Sequence, residues 1–445
     1  MTDHPRQRWL ILAHAFNMDG RAASQTITDK IPHLLRAGIE VVVLSGVSGT
    51  HDTVVEHHQL WPAGPAGLRF ELRHVLRRRW GGGVRYRVCM ALASILLMPG
   101  MLMEKLLRPV ESSWSWWISA YLKGRTLIRR EPFDLIYSTG GAFAAHLAGR
   151  ALKRATGTPW LAEVHDPMVI PGSTPATAQQ KMQAEVERLI CTDADVAIWF
   201  TEQALASARL RHPQLGERGK MLLPGIDRPF QTLPPYQPGP KFVIGHFGSL
   251  SPTRHLGPIL RALETLFMRR PELANLIELH VYGGPLDSVS SEKLASSSAH
   301  DVVHHFGRIE IDPETGLSGR EQILQRMRSV DVLLLLHGEE PICAEYIPSK
   351  LYEYLWMQRP IMAIVHQNPQ MVSILRTEGH MTVLSGDHDL EESTVTNELV
   401  AAIEKLLDHW QRSSLPDSGK TSPYTTAQAV ARIRDWVTQL KGKSV

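Results

Sequence analysis

The sequence predicts an α/β protein built from two Rossmann-like domains in series, and three observations carry that expectation. Short β-branched or apolar runs alternate with longer helical patterns. A proline-dense stretch, PGIDRPFQTLPPYQPGP, runs from Pro224 to Pro240, where neither a helix interior nor a central strand can form. Beyond it the alternation restarts. The length of 445 residues suits two large domains, and 43% hydrophobic with 21% charged residues is ordinary for a folded globular chain.

In order, RWLILAHAF reads as the first strand, Ala22 to Ala37 as a helix, and EVVVLSG as a strand after Gly38. FDLIYSTGG, the helix AFAAHLAGRALKRATG, the strand PWLAEV ending at His165-Asp166, and DVAIWFT complete a doubly wound half over 1–225. Residues 226–240 are the linker. The second half, 241–415, holds KFVIGHFGSL, a helix from about Leu256 to Arg270, IELHVYGG, VVHHFGRI, a helix from Glu321 to Arg328, DVLLLLHG, a helix beginning at Pro348, and PIMAIV. Residues 416–445 read as a polar linker and a last helix, Thr425 to Leu440, packing back on the first domain.

Composition excludes several classes. Cys89, Cys191 and Cys343 stand far apart with no CxxC, against a disulfide framework or a cysteine zinc site. The N-terminus has only a short apolar run and no small-residue cleavage site, against a secretory signal, so a cytoplasmic setting is expected. A net charge of +3 argues against a nucleic-acid partner. The charge is nonetheless uneven: Arg73, Arg77, Arg78, Arg79, Arg85 and Arg87 crowd just before VCMALASILLM, with Pro99-Gly100 following. A break there leaves the segment too short to span a bilayer. Two readings stay open for residues 73–107: a helix lying on an anionic membrane surface, or a buried core helix with a solvated arginine flank. Trp114, Trp116 and Trp117 in PVESSWSWWISAYL suit an interface or the sheet.

The stretch CAEYIPSKLYEYLWMQRP places Glu345 eight residues before Glu353. DVLLLLHG before it has the length of a buried parallel strand, so Glu345 is expected in a strand-to-helix loop, where open parallel sheets bind ligands. Proline favours the first helical position, which puts Glu353 in the second turn and Lys350 in the first. There the helix dipole opposes a cation by about 0.3–1 kcal/mol, and a bound phosphate would compensate.

That element, EYIPSKLYEYLWMQRPIMAI, is similar to the E-x7-E signature of retaining GT-B-fold glycosyltransferases, family 4 in particular. FDLIYSTGGAFAAHLAG and GTPWLAEVHDP resemble the acceptor-side domain of that family, and IGHFGSLSPTRHLGPILRAL, HVYGGP, HHFGRI and MRSVDVLLLL its donor domain. The likeness runs from Trp9 to about Ile374. It implies two Rossmann-like domains facing a central cleft and transfer from a nucleoside diphosphate sugar, with no cofactor and no metal. It gives Glu345 the donor sugar hydroxyls, Glu353 the ribose, and Ser349, Lys350 and Leu351 the phosphates together with Arg254. Gly20, Gly248, Ser249 and Gly283 line the donor turns, and Arg308 and Ile309 lie in a loop that shapes donor specificity. His165 falls near the reacting sugar, with Asp166 and Arg21 on the acceptor side. The family commonly has arginine where Ser249 stands, so the phosphate clamp rests more heavily on Arg254 and Lys350. Such enzymes often build surface polysaccharide on lipid-linked acceptors, which implies peripheral attachment at the cytoplasmic face of a membrane. A nucleotide-sugar epimerase and a catalytically silent binding partner in polysaccharide assembly are the alternatives.

Other signals look weaker. Asp193 and Asp195 precede a strand and read as a solvated turn rather than a metal-binding DxD. SGKT near Lys420 lacks the first glycine of a phosphate loop, and STGGAF lacks G-x-G-x-x-G. His304 and His305 point to opposite faces of one strand and share no metal.

Overall fold

The structure, a computed structural model, describes residues 7–18, 21–230, 235–312, 314–384, 391–415 and 422–442. The chain divides into two compact units, Met1–Asp227 with Thr425–Val445, and Arg228–Tyr424. Both are parallel sheets covered by helices.

Unit 1 runs β1 (Arg8–Leu12), α1 (Ala22–Thr28), α2 (Ile31–Arg36), β2 (Glu40–Ser45), β3 (Glu56–Gln59), α3 (Pro65–Trp80), α4 (Val84–Leu107), α5 (Trp116–Arg130), β4 (Leu135–Gly140), α6 (Phe143–Thr156), β5 (Trp160–Val164), α7 (Ala178–Asp193), β6 (Val196–Trp199), α8 (Glu202–Arg211) and β7 (Gly219–Met221). The sheet order is β3-β2-β1-β4-β5-β6-β7, with every pairing parallel. Strands such as VVVL are buried on both faces, as helices on each side of a parallel sheet require. Leu10 and Leu12 face one core with Trp116 and Ala148; Trp9 and Ile11 face the other.

Unit 2 runs β8 (Phe242–Phe247), α9 (Gly257–Arg269), β9 (Ile277–Tyr282), α10 (Ser288–Ser296), β10 (Val303–Gly307), α11 (Gly319–Ser329), β11 (Val332–Leu336), α12 (Lys350–Trp356), β12 (Ile361–Val365), α13 (Pro369–Thr377), β13 (Met381–Leu384) and α14 (Glu392–Gln411). Its parallel sheet has the order β10-β9-β8-β11-β12-β13. The last helix, α15 (Thr426–Gly442), returns to unit 1, where Ala429, Val430, Ile433 and Val437 join the core of Trp9 and Ile11.

Several expectations change. The helix expected from Ala22 to Ala37 is two, α1 and α2. Pro32 has no N–H to give the carbonyl of Thr28, so the helix restarts, and Lys30 turns inward at the break, 1% exposed. Pro99-Gly100 does not end α4, which continues for 24 residues with Pro99 inside it, about 36 Å of helix. The segment is therefore not too short. Among the described residues α4 is the one helix long and apolar enough to cross a membrane. Nor is it a core helix: Met90 is its one buried residue. Gly100 lets α4 approach the start of α3, since a Cβ there would lie 3.1 Å from Pro65. Trp116 is fully buried, and Trp114 and Trp117 pack against the core of unit 1, so these tryptophans hold α5 to the sheet rather than forming a membrane belt. Asp193 and Asp195 are not a solvated turn. Asp193 pairs with Arg150 and Arg154, while Asp195 meets Lys153 at 2.7 Å and accepts the N–H of Trp160 at 2.8 Å. The SGKT segment lies outside the described residues.

Candidate functional site

Both sheets reverse their strand order at one place, between β1 and β4 in unit 1 and between β8 and β11 in unit 2. Loops leaving adjacent strands in opposite directions open a crevice at the carboxyl ends. The candidate residues gather at those ends.

In unit 1, β5 delivers His165 and Asp166. The His165 ring is 8% exposed, stacks on Phe200 with ring centroids 4.8 Å apart, and its Nε2 lies 2.9 Å from Glu163 Oε1 and 2.8 Å from Thr139 Oγ1. Glu163, two positions back on the same strand face, is fully buried. Lys30 Nζ meets its two oxygens at 2.7 and 2.5 Å, and Tyr137 donates its hydroxyl at 2.6 Å. Burial alone would raise the Glu163 carboxyl, but the Lys30 charge, with help from His165, holds it well below the carboxylate range. The buried pair thus fixes the ring of His165. Asp166 is exposed, near Gly141, where a Cβ would come within 3.4 Å of its Oδ2. At the end of β1, His14 meets buried Glu71 of α3 at 3.0 Å. Arg21 and Arg73 stand 5.7 and 5.2 Å over the ring of Phe70. Gly20 lies outside the described residues.

In unit 2 the loops after β8, β9 and β10 are tied together. The N–H of Gly248 donates to Tyr282 O at 2.9 Å and that of Gly283 to Gly307 O at 3.0 Å. A Cβ on Gly283 would lie 2.1 Å from Gly248 O, so only glycine admits this approach. Ser249 and Arg308 are exposed and Ile309 is half-buried. Glu345 is 1% exposed, at the end of a short 3-10 turn, Pro341–Glu345. Next to it, Tyr346 is anchored at both ends: its carbonyl accepts from Asn368 Nδ2 at 2.9 Å and lies 3.3 Å from His337 Nε2, and its hydroxyl accepts from Arg254 at 3.2 Å.

The helix α12 starts at Lys350, two residues later than Pro348, which puts Glu353 in its first turn. Lys350 does not wait for a ligand as a lone cation; its ammonium meets Glu353 Oε2 at 2.6 Å. Leu351 is buried and Ser349 exposed. Beneath these lies His246, on β8, 4% exposed. Burial first, then the charges of Arg254 and Lys350, push it down to about 4. His337 is likewise held at about 4, chiefly by burial.

The structure therefore brings together Arg254, Lys350, Glu353 and Glu345 with Gly248 in unit 2, and His165 with Glu163 in unit 1. Glu163, Lys30, His246, His337 and Asn368 are additions. A charged residue inside the strand PWLAEV was the visible sign of the first; nothing local marks Lys30, 133 positions away.

Residues 22–217 match the family model described as glycosyl transferase 4-like domain. Comparison with curated protein sequences yields no match. Among solved structures, sucrose-phosphate synthase from Thermosynechococcus elongatus is 14% identical over 99% of this chain and 98% of its own, with a TM-score of 0.58. TarM is 8% identical over 97% and 98%, at 0.61. WaaG, a glycosyltransferase involved in lipopolysaccharide biosynthesis, is 13% identical over 97% and 99%, at 0.56. Two parallel-sheet α/β units of this kind are the GT-B fold. The likeness to the glycosyl transferase 4-like domain lies within unit 1.

Two outcomes follow from these geometries. Glu163→Gln leaves the Lys30 ammonium buried without its counter-charge and should cost about 3–5 kcal/mol in urea unfolding, while the double variant Glu163→Gln/Lys30→Met recovers a large part of it. For His246 and His337 the folded pKa lies below the ordinary value near 6.5, so between about 6.5 and 4 the unfolded chain binds protons that the folded chain does not. Stability should fall as pH drops through that window, by up to about 3 kcal/mol per ring. The double variant His246→Asn/His337→Asn should show a flatter dependence of melting temperature on pH.

Proposed function

We propose that the chain is a retaining glycosyltransferase that moves a sugar from a nucleoside diphosphate sugar to an acceptor carried on a lipid diphosphate, in surface polysaccharide synthesis at the cytoplasmic face of a membrane. One observation carries the donor half: two cations from separate loops, Arg254 after β8 and Lys350 after β11, bear on the same buried ring, His246, beside the fixed Glu345–Tyr346 turn. A departing diphosphate gathers negative charge, and preorganised cations at that point lower the barrier. Arriving phosphates would draw Lys350 away from Glu353, freeing that carboxylate to accept the ribose hydroxyls. Glu345 is assigned to the donor sugar hydroxyls, and His165, with its ring locked by Glu163, to the transfer step.

The acceptor half rests on the α3–α4 hairpin. Val84, Val88, Leu92, Ile95, Leu96, Leu102, Met103 and Leu106 of α4 are between 51% and 84% exposed, a stripe of about six helical turns. Arg77 and Arg79 end α3 beside it, and Arg85 and Arg87 begin α4. The hairpin is pinned by Arg69 Nε donating to Ser94 Oγ at 2.8 Å and the N–H of Ala66 donating to Glu104 at 2.9 Å. If α4 crossed a bilayer it would drag the arginines of α3 into hydrocarbon, so we assign it an in-plane position, with the apolar stripe inserted and the arginines at anionic headgroups.

Lys350→Ala should lower transfer by about 10²-fold or more with an unchanged melting temperature, and the product's anomeric configuration, read by NMR, should match the donor's. Unchanged turnover would remove Lys350 from the mechanism, and an epimerised nucleotide sugar formed without acceptor would replace the transferase reading. Membrane attachment is tested by sedimentation with anionic vesicles. Arg78 is left intact, because its guanidinium holds the carbonyls of Gly49 and Val47 at 2.6 and 3.0 Å. Arg77→Glu/Arg79→Glu/Arg85→Glu should release the protein from vesicles, as should raised salt, while nucleotide binding persists; a wild-type protein that ignores such vesicles at low ionic strength would overturn the in-plane assignment.

A further inference from the structure

We propose that Glu278, His280 and His304 form a binding site for a borderline divalent transition metal, with Zn²⁺ as its natural occupant, apart from the donor-side residues of unit 2. The proposal stands on strand register. β9 and β10 pair in parallel with His304 opposite His280, and neighbouring strands lie about 4.8 Å apart. Glu278 precedes His280 by two positions, so both side chains stand on the same face of β9. His304 shares that face, whereas His305 turns away to meet Gly284 O at 2.9 Å.

The ligand atoms of the three residues all lie within 4.8 Å of one another. Glu278 straddles the two imidazoles, with Oε2 at 2.8 Å from His280 Nε2 and Oε1 at 3.5 Å from His304 Nε2. The rings meet edge to face, centroids 5.5 Å apart at 79°, which aims both nitrogens at the carboxylate. Zinc–ligand bonds of about 2.0–2.2 Å place neighbouring tetrahedral ligands about 3.3 Å apart, so gathering these atoms round one ion takes only small side-chain shifts. Two histidines and a glutamate are a donor set that zinc takes with a fourth position left to water. The side chains are 18%, 19% and 41% exposed for Glu278, His280 and His304, rigidly based yet reachable from solvent.

The electrostatics agree. Burial holds the His280 ring below its ordinary range, and neutral imidazole is the metal-binding form. The Glu278 carboxyl is held down to about 2, where against the cost of burial Lys241 and His280 stabilise the ionised form. Lys241 Nζ sits 2.7 Å from Oε1 and competes with a metal for that oxygen, and a doubly charged ion bound also by two nitrogens is a stronger partner than one half-exposed ammonium. β10 is the edge of its sheet, next to β9, ends at Gly307 and leads at once into Arg308. A metal here would staple that edge immediately before the loop.

The test uses the full chain without a histidine tag, stripped with chelator and titrated with Zn²⁺ by calorimetry, with melting temperature read in parallel. One equivalent should bind and raise the melting temperature. His304→Ala and Glu278→Gln, checked as folded by circular dichroism, should each lose that equivalent and the thermal shift, and His305→Ala should keep both. Absence of a bound equivalent in the wild type, or equal binding in His304→Ala and Glu278→Gln, would overturn the site. Neither result bears on sugar transfer.

Discussion

Everything functional in this chain depends on the parallel strand arrangement. When every strand in a sheet runs the same way, all carboxyl ends lie along one edge, and a reversal of strand order leaves a gap there that neighbouring loops cannot fill. β1 and β4 flank that gap in unit 1, β8 and β11 in unit 2. His14 lies two residues past β1 and the Gly140–Gly141 turn closes β4, one strand away from His165. Gly248 to Arg254 follow β8, and His337 to Glu345 follow β11. No catalytic assignment is needed to find these residues; topology selects them.

Parallel sheets also explain how much was legible in the sequence. Strands buried on both faces read as unbroken apolar runs, so VLLLL and IMAIV announce themselves, and the proline-dense stretch separates the two series. The edge strands do not: β3 is EHHQ and β7 is GKM, with too little apolar patterning to read. The repeat of Val395, Leu399, Val400, Ile403, Leu406 and Leu407 in α14 was legible and is absent from the expected elements. The break at Lys30 and the continuity through Pro99 were not. In the first case a proline in the second position of a new helix decides, and in the second the loss of one hydrogen bond in an interior turn is outweighed by packing along α3.

The site was legible to the extent that its chemistry is local. Glu345, Lys350 and Glu353 lie within nine residues, so spacing and the strand–loop–helix context could single them out. The network behind His165 could not be seen that way, since Lys30, Tyr137, Thr139 and Glu163 come from two strands and a helix junction. Burying an ion pair at the carboxyl edge of a sheet is a poor way to gain stability, because desolvation of both charges nearly cancels their attraction. It makes sense where a side chain must be held in one orientation. Glu163 does that for His165, and Lys30 keeps Glu163 ionised in a place where it would otherwise take up a proton.

The same logic, applied to unit 2, separates two ways of handling charge. His246 and His337 are kept neutral by burial, and they carry structure: His337 reaches the Tyr346 carbonyl, and His246 lies beneath the Gly248 turn. Lys350 and Glu353 pair with each other, the lysine a third exposed and the glutamate 12% exposed. A neutral buried ring gives a fixed surface at little electrostatic cost, whereas an ion pair whose lysine reaches solvent is the more readily exchanged element. A rigid neutral floor beneath an exchangeable pair is the arrangement that a doubly charged ligand can enter, because Glu353 keeps Arg320 at 3.8 Å when Lys350 turns to the ligand.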